Sequence, residues 1–118
     1  MKGNLQDRDV RFFVQDGCLV RVVASCDGRG YQHRCSLKTY ETVAHAVEET
    51  PVEGEGCSMT EIARRESLPY TQVNVALEFL KQRGIVDVRH RRCYPGTRSV
   101  HLDAMVEFHA LAEEPKPA

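Results

Sequence analysis

The first third of the chain alternates between apolar and polar positions, as β-strands do. Residues 10–15 are rich in strand-forming side chains, and Asp16-Gly17, a strong hairpin signal, separates them from the apolar run at residues 18–25. A second glycine-containing turn leads to another alternating segment, residues 31–36. The pattern predicts a three-stranded antiparallel meander that another element covers, because both faces of its middle strand carry apolar side chains.

A helical periodicity follows the strands. Apolar positions spaced by three and four predict a helix over residues 37–49, with Ser36 or Thr39 as its cap. The helix should end before Pro51, because the residue preceding a proline avoids the helical conformation. An acidic, glycine-containing loop follows over residues 51–56.

Two further helices are predicted, joined by a short turn. Ser58 and Glu61 stand in the register of a capping box and indicate the start of a short helix over residues 59–66. The next helix, residues 69–83, has a proline at its first position and stops at Gly84. Its apolar stripe at helical spacing consists of Val73, Ala76, Leu77 and Leu80.

The last part of the chain predicts a hairpin and a helix. Residues 85–90 form a strand, and a loop with the turn dipeptide Pro95-Gly96 leads to a partner strand over residues 98–102. A final helix is expected over residues 103–112.

The order helix, short helix, tight turn, helix, hairpin over residues 37–102 is typical of one known architecture. Residues 59–86 read MTEIARRESLPYTQVNVALEFLKQRGIV. This stretch resembles the winged helix-turn-helix domain of bacterial transcription regulators, the MarR-like and related superfamilies. The resemblance implies that the protein binds double-stranded DNA, with helix 69–83 in the major groove and the basic hairpin 85–102 on the backbone.

The expected fold class is therefore α+β. It combines an N-terminal three-stranded antiparallel meander, residues 1–36, with a winged helix-turn-helix that includes a C-terminal helix, residues 37–112, and a tail over residues 113–118. A chain of 118 residues suits one such structure with a single core.

The resemblance directs the side chains opposite the apolar stripe, Val75 and Glu78 included, toward the DNA groove. Asn and Gln can pair with adenine, and Thr can contact several bases. Arginines of the hairpin and of the short helix would contact phosphates, which gives affinity rather than sequence reading. A solvated helix start and a charged hairpin tip are the simpler alternatives. The candidate DNA-binding residues are Tyr70, Thr71, Gln72, Asn74, Arg64, Arg65, Arg89, Arg91, Arg92, Tyr94 and Arg98.

Val75 and Phe79 depart from the regulator pattern, which often has basic residues at these positions. Glu78 between them would repel phosphate. The apolar pair is either covered by another element of the chain or faces a protein partner. The second reading gives the alternative function, a winged-helix protein–protein interaction module that uses Val75, Phe79 and the β-sheet.

The charge of the chain is segregated along the sequence although its sum is only −1. Residues 81–101 carry six basic and one acidic side chain, whereas residues 39–61 carry six acidic side chains and no Lys or Arg. The small sum therefore does not exclude nucleic acid. No apolar run is long enough for a membrane helix, and the start lacks a signal-peptide pattern, so we expect a cytoplasmic protein without membrane contact.

Candidate chemistry beyond binding is sparse. Five widely spaced cysteines indicate free thiols rather than a disulfide framework. Cys18, Cys26, His33 and Cys35 would be the zinc ligands, but the usual Cys-x-x-Cys pair is missing, so we expect no metal. A sensor whose meander holds a small ligand or metal is a third hypothesis. Without a phosphate-binding loop or a nucleophile turn, we expect no cofactor and no enzyme.

The helix over residues 103–112 is apolar over a wide arc. Burial against the chain's own meander and burial against a second copy both explain this arc. A homodimer would form through the C-terminal helix or through the meander.

Overall fold

The computed structural model describes residues 9–25 and 28–115. Within these ranges the chain is a mixed α+β structure with four helices and two antiparallel sheets, so the predicted fold class is confirmed at this level. The elements in chain order are β1 (Asp9–Gln15), β2 (Cys18–Ala24), β3 (Gly30–Ser36), α1 (Leu37–Glu48), α2 (Met59–Glu66), α3 (Tyr70–Gln82), β4 (Val86–Arg89), β5 (Arg92–Pro95) and α4 (Val100–Ala112).

The first sheet is the predicted meander, with strand order β1-β2-β3. Asp16 and Gly17 form its first turn with positive φ angles of 54° and 76°, as a two-residue hairpin requires. The register pairs Phe12 with Arg21 and Arg21 with His33, so these three side chains share one face of the sheet.

Local side-chain caps fix the starts of α1 and α2. The backbone N–H of Thr39 donates to Ser36 Oγ at 3.2 Å, which selects Ser36 as the cap of α1. The capping box at α2 is confirmed: the Glu61 N–H donates to Ser58 Oγ at 3.1 Å, and the Ser58 N–H donates to Glu61 Oε1 at 2.9 Å. Ser67 ends α2 in the left-handed conformation, with φ 56°, and turns the chain into α3.

The β4–β5 hairpin is shorter than predicted. Its turn is His90-Arg91, with φ angles of 52° and 66°, so β5 follows at once and the predicted turn dipeptide lies at the end of β5 instead. The strand predicted over residues 98–102 is wrong, and the observed order has a helix there. Helix α4 begins at Val100, which is fully buried. The early turn completes the hairpin by residue 95 and leaves this segment free to pack as a helix.

A chain of aromatic rings connects the sheet with the helices. Phe12 of β1 lies 5.2 Å from Phe79 of α3, which lies 6.1 Å from Tyr40 of α1. Tyr40 lies 5.4 Å from Phe108 of α4, and its hydroxyl donates to the Ala104 carbonyl at 2.6 Å. These centroid distances fall in the range of favourable aromatic pairs. The meander and the helices therefore share one continuous core.

Helix α4 packs one side of its apolar arc against other elements of the chain. Ala104, Phe108 and Leu111 are buried where α4 packs on α1 and β1. Leu102 and Val106, one turn apart, are 62% and 55% exposed. None of the helices in the described ranges combines the length and the apolar character that crossing a bilayer requires.

Candidate functional site

Helix α3 is buried along two of its sides. The predicted core stripe is confirmed, since every member is buried: Val73, Ala76, Leu77 and Leu80. Val75 and Phe79 are also fully buried. The prediction that Val75 faces outward is therefore wrong, because the meander packs along this flank and places Phe12 against Phe79. Neither Val75 nor Phe79 offers a surface to a protein partner.

A single polar stripe of α3 stays open to solvent. Tyr70 is 53% exposed, and Thr71 and Lys81 are exposed as well. Asn74 and Glu78, on the turns between them, are half-buried. The two ends of this stripe are therefore more accessible than its middle.

Arg21 of β2 reaches across from the sheet to this stripe. Its side chain is 7% exposed, and Nη1 donates to Glu78 Oε1 at 2.6 Å and also to Asn74 Oδ1. Nη2 lies 3.1 Å from Nδ1 of His33, while Nε is buried without a hydrogen-bond partner in the described part of the chain. The guanidinium therefore neutralises Glu78 and fastens the sheet to α3.

Sequence reasoning did not single out Arg21. A signal was present, since the alternation of β2 puts Arg21 on the same face as Leu19 and Val23, both of which are buried. An arginine at an inward position needs a carboxylate or amide partner. The strand pattern alone does not indicate where in the chain that partner lies.

Two of the predicted base-contacting side chains instead join elements of the fold. Gln72 Oε1 accepts a hydrogen bond from the Ser36 N–H at 3.0 Å. Asn74, besides accepting from Arg21, places Nδ2 at 3.1 Å from Met59 Sδ on α2. The side chains of Gln72 and Asn74 are therefore held by neighbouring elements, whereas those of Tyr70 and Thr71 form no such hydrogen bond with the described residues.

Three of the predicted hairpin residues hold the loop over residues 51–56. Arg92 donates to the Glu55 carbonyl at 2.8 Å and to the Glu61 carboxylate at 3.1 Å. Arg89 lies 3.7 Å above the Tyr94 ring, and the buried Tyr94 hydroxyl donates to the Gly54 carbonyl at 3.2 Å. These contacts fix the hairpin against the start of α2.

The electrostatics at the start of α2 favour an ionised Glu61. The Ser58 N–H donates to its carboxylate, and Arg92 lies beside it. Together these two groups lower the pKa of Glu61 below its ordinary value. The negative charge also suits the N-terminal end of a helix.

The remaining predicted cations are exposed. Arg91 stands at the tip of the β4–β5 turn, and Arg98 lies between β5 and α4. Arg64 and Arg65 lie in the last turn of α2, where Arg65 forms a 3.3 Å ion pair with Glu66. An ion pair this exposed contributes little to stability and does not prevent Arg65 from contacting a ligand.

A cleft of about 710 Å³ runs along the open stripe of α3. The sheet forms one wall through Arg21 and Tyr31, and the β4–β5 hairpin forms the other through Val88 and Arg91. Tyr70 and other residues of α3 form the floor. The structure therefore brings Tyr70, Asn74 and Arg91 of the predicted set to one cleft.

Among the described residues, the candidate zinc ligands Cys18, His33 and Cys35 do not come together. Cys18 and Cys35 lie on opposite faces of the sheet, and His33 bonds to Arg21; Cys26 lies outside the described residues. Burial raises the pKa of Cys35 to about 12 and that of Cys93 to about 11, so both are neutral thiols. Over residues 9–25 and 28–115 no group of three metal-ligating side chains is suitably placed.

Comparison with protein-family models, with curated proteins and with solved structures finds no match to this chain. The function proposed below therefore depends on the geometry of these residues.

Proposed function

We propose that the protein binds double-stranded DNA as a winged helix-turn-helix transcription regulator acting in the cytoplasm. In this proposal α1, α2 and α3 are the three helices, and the β4–β5 hairpin is the wing. The observation that carries it is that Tyr70, in the first turn of α3, borders the same cleft as Arg91 at the hairpin tip. The N-terminal residues of a recognition helix are those that contact base edges.

The Arg21–Glu78 pair supports this proposal. A carboxylate in the middle of a recognition helix would repel the phosphate backbone, but the Arg21 guanidinium lies 2.6 Å from Glu78 and cancels its charge locally. The acidic residue of α3 therefore does not oppose DNA.

The predicted DNA-binding residues divide into two groups. Those with accessible side chains make the proposed contacts, bases for Tyr70 and Thr71 and phosphates for the arginines: Tyr70, Thr71, Arg64, Arg65, Arg91 and Arg98. Those engaged within the chain act by positioning the helix and the hairpin: Gln72, Asn74, Arg89, Arg92 and Tyr94.

We propose a homodimer as the DNA-bound form, with Leu102 and Val106 of α4 in the contact between copies. Both side chains are more than half exposed and lie one helical turn apart. A dimer would select a DNA site with two related halves about one helical turn apart. Sedimentation of the protein with and without DNA measures this state.

The test is selection from a random duplex pool, followed by fluorescence anisotropy over a range of salt concentrations. We expect binding to weaken steeply with salt, because released counterions contribute to affinity. Arg91→Ala should reduce the slope of log K against log salt by about 1, the value for one lost phosphate contact. Arg11→Ala, an exposed arginine on the opposite face of the meander, is the matched control and should leave the slope unchanged. Undetectable binding at low salt, or equal slopes for both variants, would contradict the proposal.

A further inference from the structure

The cleft along α3 has the dimensions of a small-molecule site. Its volume of about 710 Å³ falls within the roughly 300–1,000 Å³ of such sites. Its floor extends from Tyr70 to Lys81. This is about 16 Å at the helical rise of 1.5 Å per residue. A ligand there would lie lengthwise between the meander and the hairpin.

Both exposed tyrosines in the described part of the chain border this cleft. Tyr31 is 51% exposed and Tyr70 53%, whereas Tyr40 and Tyr94 are buried. An aromatic ring left in solvent forgoes the favourable burial of its apolar faces. A planar ring of a ligand would stack on such a face, and this type of contact tolerates many ring structures.

The charges that border the cleft favour an anion. Lys81 and Arg91 are exposed cations on the floor and on the hairpin wall. Glu78 is the sole carboxylate among the described residues that line the cleft, and Arg21 neutralises it. The field in the cleft is therefore positive, although the chain as a whole carries a net charge of −1.

We propose that this cleft binds a nucleotide, with its base stacked on Tyr31 or Tyr70 and its phosphate paired with Lys81 and Arg91. Planar rings and phosphate groups are the two chemistries that these side chains recognise, and the cleft has room for both. The nucleotide is either a free mononucleotide or one unit of a single strand. Binding does not depend on the duplex function, but Tyr70 and Arg91 belong to both surfaces, so nucleotide and duplex compete.

The experiment is a titration of the full ¹⁵N-labelled chain with AMP and with TMP, followed by amide NMR shifts and by calorimetry. We expect saturable shifts centred on Tyr31, Tyr70 and Arg91. Adenosine lacks the phosphate and ribose 5-phosphate lacks the planar base, so each should bind several-fold more weakly than AMP. No saturable shift at millimolar nucleotide, or equal affinity for ribose 5-phosphate and AMP, would overturn the proposal.

Variants connect the binding to this cleft. Tyr70→Ala should weaken AMP binding by about fivefold or more, since stacking contributes about 1–3 kcal/mol per base. Arg91→Ala should weaken AMP but not adenosine, because it removes only a phosphate partner. Arg34→Ala removes an exposed arginine that does not line the cleft and should leave the affinity unchanged. Affinity unaffected by both cleft variants would place the nucleotide elsewhere and contradict the proposal.

Two further measurements distinguish a free nucleotide from a single strand and separate nucleotide binding from duplex binding. A thymidine hexanucleotide that binds more tightly than TMP identifies a strand as the ligand, whereas equal affinity identifies a free nucleotide. Either result requires the same cleft contacts. AMP should also displace a bound duplex. If no duplex binds, the NMR titration still tests the nucleotide site by itself, so the failure of one proposal is distinguishable from the failure of the other.

Discussion

Arg21 carries a full charge at a position almost closed to solvent. A buried ion pair is a weak source of stability, but removing one partner is costly because the other charge then stays buried alone. Glu78 is 35% exposed at its side chain, so water screens part of that cost. At the residue scale, Arg21 therefore acts mainly by holding α3 in register with the meander.

Replacing Arg21 with methionine tests this role. We expect Arg21→Met to lower the free energy of unfolding by about 1–3 kcal/mol, because Glu78 and Asn74 lose their shared donor. Urea denaturation of the single variants Arg21→Met and Glu78→Gln and of the double variant gives their coupling energy. Arg34→Met, an exposed position on the opposite sheet face, should change the stability little. Additive effects of Arg21→Met and Glu78→Gln would show that the two residues do not interact.

The reach of each interaction along the chain decides which residues could be predicted. Ser36 and the Ser58–Glu61 capping box act over three positions, so spacing alone identifies them. Arg21 contacts side chains 53 and 57 residues away, and no local pattern encodes such a pairing. Spacing alone could not decide between an outward-facing and a covered Val75 for the same reason, since the element that covers its flank of α3 lies far upstream.

At the scale of elements, the β1–β2 and β4–β5 hairpins differ in whether the sequence signals their turns. Asp16-Gly17 has the glycine that a left-handed turn favours, and the first hairpin was predicted correctly. His90-Arg91 adopts the same type of turn without a glycine, so the sequence lacks the usual hairpin signal at this position. Without this turn, the sequence pattern places the partner strand at residues 98–102 and the start of α4 at residue 103, both later than in the structure.

The left-handed conformation of His90 and Arg91 implies strain that a substitution can relieve. A left-handed conformation costs residues other than glycine about 1–2 kcal/mol. We expect the double variant His90→Asn with Arg91→Gly to raise the free energy of unfolding by about 1 kcal/mol, because Asn-Gly suits the turn. Its thermal midpoint should rise while duplex binding weakens, since Arg91 is lost. His90→Asn alone is the control that keeps Arg91. A double variant less stable than the parent chain would contradict the strained turn.

At the scale of the whole molecule, folding mixes charges that the sequence keeps apart. Residues 81–101 are strongly basic and residues 39–61 strongly acidic. The fold brings the two segments together, because Arg92 pairs with Glu61 and binds the acidic loop at Glu55. The positive charge of the hairpin segment that has no acidic partner is therefore smaller than the segment count indicates. The segment count alone does not reveal this local cancellation.

The shared aromatic core predicts that the molecule unfolds as one unit. Phe12 is 9% exposed and contributes an aromatic contact with Phe79 to the packing of the meander on the helices. Phe12→Ala should therefore lower the free energy of unfolding by about 3–5 kcal/mol, the usual cost of deleting a buried ring. Phe13→Ala, on the opposite face of the same strand and half-buried, is the matched control and should cost clearly less.

The chain has no tryptophan, so tyrosine emission can follow the burial of Tyr40, and circular dichroism follows the helices. Coincident transitions by both probes are expected for a single cooperative core. Two separate transitions in the parent chain would mean that the meander is an independent unit, and Phe12→Ala would then leave the helical transition in place.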